Sequence, residues 1–281
     1  MKTGSPLTAA GLLSSTAWSM HPGERAALEG ILCALQPALA IEIGTDAGGS
    51  LERISAHSEE VHAFDPRFDL SVTQERFPNV HLHRATSQER MPEVLADLAA
   101  AGRNVDFVLV DGDHSAPGVS RDLVDLLESP ATARTVIVLH DTLYERVRRG
   151  LESVNLAGYP KVTYVDFDFV YGTVRREGQG TDDLWGGLGI IVTGIPIPHP
   201  PPRTYPAPDV YDAFAQLRAA AGQSRLGARQ LMDLELDLAR EKYLAQLMRD
   251  SWSWRLTAPL RGARTAVRGT LRPRQRARRT R

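Results

Sequence analysis

The sequence predicts an α/β fold with a doubly wound, mostly parallel seven-stranded sheet and a helical C-terminal extension. Three observations predict it. Short apolar runs alternate with stretches of helical spacing, several of those runs end in glycine or an acid, and a proline-rich segment closes the pattern after residue 194. In order, Ala26, Leu28, Ile31, Leu32 and Leu35 recur at helical spacing, and ALAIEIG (38–44) then reads as a buried strand running into a glycine turn. VHAFD (61–65) and VHLHRA (80–85) are the second and third strands. VDFVLVDGD (105–113) and TVIVLHD (135–141) are the fourth and fifth, both ending in acids. After a helical stretch at 144–156, the segments 161–172 and 187–194 predict two strands pairing antiparallel at the sheet edge, separated by a glycine-rich polar loop.

The 281 residues are divided here into a domain over 1–194, a linker over 195–208, a helical extension over 209–250 and an Arg-rich tail over 251–281. Proline recurs so often in IPIPHPPPRTYPAP (195–208) that neither helix nor central strand can form there. Beyond it, Leu231, Leu234, Leu238 and Leu244 offer an apolar stripe, interrupted upstream by Gly222 and Gly227. Cys33 is the only cysteine, which excludes an intramolecular disulfide and fits a reducing, cytoplasmic setting. No run approaches the ~20 apolar residues of a membrane span. The net charge of −1 conceals an asymmetry. Residues 251–281 carry ten arginines and no acid, and subtracting their +10 leaves −11 for residues 1–250. Such a tail favours an anionic surface and says nothing of catalysis.

Ligands of open α/β sheets bind at the carboxyl ends of the strands. In IEIGTDAGGS (41–50), Gly44, Gly48 and Gly49 let backbone approach a ligand, and Glu42 can meet the amino group of an amino-acid-like cofactor. The turn is not GxGxxG, which disfavours a dinucleotide. Asp65, about 20 residues on, stands where a carboxylate accepts both hydroxyls of a ribose. The plainer reading stays open: a tight turn at Gly44 and a helix cap at Asp65. Asp111 and Asp141 end adjacent predicted strands, so their carboxylates converge at one edge of the cofactor site, with Asp113 and His140 beside them.

IEIGTDAGGS, AFDP, VDFVLVDGDHS and VIVLHDT together resemble the class I S-adenosylmethionine-dependent methyltransferases. The closer likeness is to the metal-dependent O-methyltransferases related to macrocin O-methyltransferase and to cephalosporin-hydroxylase-like proteins, over about residues 20–194. The resemblance implies S-adenosyl-L-methionine held by Glu42, Gly44, Gly48, Ser50, Asp65 and Asp111 and flanked by Ala85, Thr86 and Ser87. It also implies a divalent cation, magnesium or else manganese, on Asp111, Asp141 and His140, with Asp113 as general base. His140 departs from the paired carboxylates of related enzymes, and a histidine suits manganese, iron or zinc at least as well as magnesium. His114 is a rival base. Tyr144, Asp166, Asp168 and Tyr171 are candidates for an acceptor pocket, although the two aspartates equally suit a solvated edge strand, and Trp185 is either a lid over a sugar ring or a core anchor. His81 and His83 alternate on one strand and read as structural.

LAQLMRDSWSWRLTAPLRGARTAVRG (244–269) resembles a tail found on bacterial glycosyltransferases and polysaccharide-assembly proteins. Trp252 and Trp254 suit a membrane interface, and Arg255 and Arg261 suit phosphate headgroups. The expected function is therefore O-methylation of a sugar hydroxyl in a surface polysaccharide, lipid-linked glycan or glycosylated natural product. Expected partners are that saccharide acceptor, glycan-assembly proteins or the inner membrane leaflet through the tail, and a second copy of the chain. Alternatives are a small non-sugar hydroxyl acceptor, a degenerate scaffold of the same fold and, more distantly, a nicotinamide-dependent oxidoreductase. Nucleic acid is disfavoured as a substrate by the acidic domain and by the absence of an Asn-Pro-Pro-Tyr type motif.

Overall fold

The computed structural model describes residues 18–177 and 181–198, together with Gln216. Apart from Gln216, these belong to the first of two units into which the chain divides, Met1–Thr204. Most of the expected linker, the helical extension and the Arg-rich tail lie outside the described residues.

The described residues open with helix α1 (Pro22–Leu35), whose start is locally encoded. His21 caps it, Pro22 occupies the first turn, and the Glu24 carboxylate returns to accept the His21 N–H as a capping box. Strand β1 (Leu39–Ile43), helix α2 (Gly49–His57), strand β2 (Glu60–Phe64), strand β3 (Val80–His83) and helix α3 (Ser87–Ala100) follow. Then come strand β4 (Phe107–Val110), helix α4 (Ala116–Glu128), strand β5 (Thr135–His140) and helix α5 (Glu145–Ser153). Strand β6 (Val162–Val170), a hairpin of β7 (Thr173–Glu177) and β8 (Thr181–Trp185), and strand β9 (Leu188–Thr193) complete the domain.

The seven-stranded sheet has the order β3-β2-β1-β4-β5-β9-β6. Strands β1 to β5 run parallel, and β9 enters antiparallel between β5 and β6. The predicted antiparallel pair is thus present, with 161–172 supplying the outer strand and 187–194 the inner one. The stretch read as a glycine-rich loop is a correction: it contains the separate two-stranded sheet β7-β8. Its polar sequence carries no alternation strong enough to announce strands, which pair antiparallel from Thr173 with Trp185 to Glu177 with Thr181.

Period-two alternation distributes the central strands between two cores. Leu39, Ile41, Ile43, Val108, Val110, Ile137 and Leu139 pack with residues of α3, α4 and α5 on one face. Ala40, Phe107, Leu109, Val136 and Val138 pack with residues of α1 and α2 on the other. This alternation directs His140, in phase with Val136 and Val138, toward α1. Among the described residues, no helix is long and apolar enough to cross a membrane.

Leu109 is fully buried in the middle of β4. Leu109→Ala is expected to destabilise the domain by about 2–5 kcal/mol through lost burial and an unfilled cavity, measured as a lower urea midpoint with an unchanged m-value.

Candidate functional site

A cavity of about 960 Å³ opens at the carboxyl ends of β1, β2, β4 and β5, within the size range of small-molecule sites. Gly44, Ser50, Asp65, Thr86, Ser87, Asp111, Asp113, His114, His140 and Asp141 all line it. Glu42 and Gly48 are not among its lining residues.

The first turn is built by close approach. Gly44 has φ +82, and a Cβ there would stand 2.1 Å from the Asp111 carbonyl oxygen, so this glycine lets the β1 and β4 turns touch. Asp65 straps the same turn from the next strand: its Oδ2 accepts from the N–H groups of Thr45 (3.0 Å) and Asp46 (3.1 Å), and its Oδ1 from Arg67 N–H (2.7 Å). Glu42 lies fully buried beneath the turn, where Thr45 Oγ1 donates to Oε2 at 2.8 Å and Oε1 has no partner. Burial pushes its carboxyl up to about 8, against hydrogen bonds from Ser50 and Thr45.

The far wall begins at α3. Thr86 caps that helix in a capping box with Glu89. The Ser87 hydroxyl donates to Asp122 Oδ1 at 2.6 Å, and Gln88 Nε2 donates to the same oxygen at 2.7 Å. Gln88, a lining residue that sequence reasoning missed, is thereby fixed with its amide nitrogen turned to the protein.

At the other end of the cavity, four strand-end residues meet a fifth from α1. His140 Nδ1 is 2.8 Å from Asp111 Oδ1, and its Nε2 is 3.3 Å from Glu24 Oε2. Both ring nitrogens therefore face carboxylates. Burial opposes a charge on His140, but the charge and hydrogen bond of Asp111, the hydrogen bond of Glu24 and the charge of Asp141 outweigh it, and the imidazole is held protonated well above its ordinary range. Burial likewise opposes ionisation of Glu24 and Asp111, and the imidazoles reverse it, keeping both below the usual carboxylate range. Glu24 also accepts the Gly187 N–H, while Asp141 Oδ1 accepts the Gly186 N–H at 2.7 Å. Asp141 adopts φ 55, a left-handed conformation that costs of order 1 kcal/mol or more for a non-glycine residue, and it is held there by these contacts.

His114 Nε2 lies 2.8 Å from Asp141 Oδ2 and 3.6 Å from Asp111 Oδ1, yet it is buried without a directional hydrogen bond. Asp111, His114 and Asp141 offer ligand atoms that all lie within 4.8 Å of one another. An imidazole nitrogen held within 2.8 Å of one carboxylate and 3.6 Å of another fits a divalent cation. The same Asp111 and Asp141 that push the His114 pKa up to about 9 favour a dication in place of the proton. His140, whose nitrogens are both engaged, is placed behind this set.

Asp113 is exposed on the cavity rim. Its Oδ1 accepts from Ser115 N–H (2.8 Å) and its Oδ2 from Ser115 Oγ (2.9 Å). Trp185, at the end of β8, lines the cavity, stacks on Tyr144 with ring centroids 4.3 Å apart, and meets His114 edge-on at 5.7 Å. Tyr144, Asp166, Asp168 and Tyr171 are not lining residues. Asp168 pairs with Arg148 of α5 at 2.7 Å instead. Sequence reasoning missed Glu24, since nothing in a capping box announces a second role 116 residues away.

Residues 41–142, over a third of the chain, match a family model described as a methyltransferase domain. No curated protein matches the chain. Among solved structures it is similar to an O-methyltransferase from Bacillus cereus in complex with SAH, at 17% identity, covering 66% of this chain and 86% of that one, with a TM-score of 0.44. It is also similar to the O-methyltransferase TomG of Streptomyces achromogenes, involved in tomaymycin synthesis and solved with SAM (20% identity, 63% and 82% coverage, TM-score 0.45). A third is the MycE methyltransferase of the mycinamycin pathway, in complex with Mg and SAH (17% identity, 75% and 57% coverage, TM-score 0.40). The seven-stranded, mostly parallel sheet with helices on both faces is a Rossmann-like methyltransferase fold.

The buried Asp122 carries a pH prediction. Burial, with the charges of Asp125 and Asp113, pushes its carboxyl up to about 7, and Oδ2 has no partner. Its unfolded value is near 3.9. Between those values the folded protein holds a proton that the unfolded chain releases, so stability falls as pH rises through the window. Asp122→Asn is expected to flatten that decline between about pH 4 and 7, read from urea unfolding across the range.

Proposed function

We propose that this protein is an S-adenosylmethionine-dependent O-methyltransferase acting on a sugar hydroxyl, with a divalent cation held by Asp111, His114 and Asp141. The observation that carries this reading is the juxtaposition, in one cavity, of the Gly44 turn strapped by Asp65 with a convergent Asp-His-Asp donor set. The methyltransferase-domain match supports it by spanning both halves, from Ile41 to Thr142.

Methyl transfer to a hydroxyl requires in-line alignment and removal of one proton, and no protein nucleophile. When bound, S-adenosylmethionine supplies the methyl group and the cation supplies the Lewis acidity that orients an acceptor's hydroxyls and lowers their pKa. The chain's own residues do the rest. Asp65 accepts the ribose hydroxyls, the turn from Gly44 to Ser50 cradles the amino-acid moiety, and Thr86, Ser87 and Gln88 flank the adenine. Glu42 acts from beneath by fixing Thr45. Asp113, whose oxygens each retain a lone pair beyond the Ser115 contacts, takes the hydroxyl proton at the rim. His140, charged between Glu24 and Asp111, offsets the negative charge behind the donor set. One nitrogen and two carboxylate ligands suit manganese, iron or zinc as well as magnesium.

The sugar acceptor rests on Trp185, which lines the cavity beside His114 and is backed by its stack on Tyr144, and against whose indole the apolar face of a sugar ring packs. A cytoplasmic enzyme that works beside glycan-assembly proteins or the inner leaflet belongs to the same reading. That part rests on the tryptophans and arginines of residues 251–281.

Calorimetric titration with S-adenosylhomocysteine is expected to show binding that weakens about tenfold or more in Asp65→Ala, which removes charge-assisted hydrogen bonds. Absence of binding to the wild type, with or without magnesium or manganese, would sink the methyltransferase reading. Once an acceptor is found, Asp113→Asn is expected to lower kcat by about 10²–10⁴ with KM little changed, the signature of a lost general base.

A further inference from the structure

At the opposite end of β2 from Asp65, the outer edge of the sheet carries a second group of metal-ligating side chains. Strands β2 and β3 pair in parallel with His62 across from His81 and Phe64 across from His83. Alternation therefore places Glu60 and His62 of β2 and His81 and His83 of β3 on one face, the face from which Phe64 enters the core with α3. His62 Nε2 lies 3.2 Å from Glu60 Oε1 and His81 Nε2 lies 3.4 Å from the same oxygen. These three ligand atoms all fall within 4.8 Å of one another. None of the four residues lines the catalytic cavity.

We propose that Glu60, His62 and His81 form a second metal site, for a borderline dication of the zinc class, which staples edge strand β3 to β2. The donor set of two imidazoles and one carboxylate, with a further position open to water, is one that zinc accepts. The surroundings fit a ligand set rather than a solvated charge cluster. Glu60 is oriented by Arg103, whose guanidinium reaches Oε1 at 3.1 Å and Oε2 at 2.8 Å. His62 Nδ1 is 2.9 Å from His83 Nε2, so His83 backs the ring as an outer partner. Because a carboxylate only accepts, His62 Nε2 donates to Glu60 and His62 Nδ1 accepts from His83. A dication on Nε2 displaces that proton to solvent, the shared proton passes from His83 Nε2 to His62 Nδ1, and His83 takes up a proton from solvent at its Nδ1, so that both rings stay neutral. The His62 and His81 rings stack at 4.7 Å with planes 23° apart. Closure on a shared ion therefore requires a turn of the His81 ring, and His81, its side chain 57% exposed, is the member free to make it. An edge strand presents unpaired backbone groups to other chains, and a crosslink at this position would hold its register.

The test uses the full chain and Zn²⁺ as probe, in competition with a chromogenic chelator. Every protein tested carries Cys33→Ser, which silences a third group of ligand atoms, Glu29, Cys33 and His57; Asp141→Asn silences the catalytic donor set, and His81→Ala, at an exposed position, leaves the fold intact by circular dichroism. Asp141→Asn is expected to bind one zinc at the sheet edge, and the Asp141→Asn/His81→Ala double variant is expected to lose roughly tenfold or more of that affinity. The Co²⁺ complex of Asp141→Asn should show visible bands of a histidine-ligated ion that the double variant lacks. Equal zinc affinity in the two variants, or no zinc bound by Asp141→Asn, overturns the proposal, and neither result depends on methyltransferase activity.

Discussion

Burial of ionisable groups at the carboxyl end of the central strands is the constraint around which this domain is arranged. Glu24 is 1% exposed, Asp141 5% and His140 9%. An isolated charge in such a place costs several kcal/mol, and only a closed set of opposite charges and hydrogen-bond donors makes it tolerable. The set here runs from Glu24 through His140 to Asp111, with His114 and Asp141 alongside. Removing a single member leaves another charge without compensation, so the group behaves as a unit.

That unit also decides where the surrounding chain goes. Glu24 caps its own helix and accepts the Gly187 N–H, while Asp141 accepts the Gly186 N–H, so α1, the end of β5 and the base of the β7-β8 hairpin converge on one point. The Leu143 N–H donates to the Gly186 carbonyl at 2.9 Å and completes the clasp. Trp185, immediately before this turn, is delivered against Tyr144 as a result. The strained backbone of Asp141 fits the same account: its conformation is over-determined by neighbours that need its carboxylate where it is.

The other half of the cavity is organised by backbone rather than by charge pairs. Gly44 brings two strand-end turns into van der Waals contact, and Asp65 satisfies the N–H groups of the first turn. Buried carboxyls beneath each wall, Glu42 under the first turn and Asp122 under the start of α3, hold the lining residues Thr45, Ser87 and Gln88. The cleft is thus walled by hydrogen-bonded backbone on one side and by paired charges on the other.

Much of this was legible in the amino-acid sequence, because the signals are local. The all-buried runs LAIEI, FVLV and TVIVLH announce central parallel strands, and the acids and glycines at their ends announce the cavity. Alternation on β2 and β3 likewise placed His81 and His83 on one face. What only the tertiary structure decided depends on side chains that meet across long sequence separations. Glu24 reaches His140 over 116 residues, and that contact occupies the second nitrogen of a histidine that sequence reasoning assigned to a metal. His114 turns inward between Asp111 and Asp141, Glu42 lies under its turn and away from the cavity, and residues 173–177 and 181–185 pair as antiparallel strands where only a loop was expected. The physical reason is the same in each case: strand periodicity fixes which face a residue leaves from, whereas partners are chosen by what the packed chain brings within hydrogen-bonding reach.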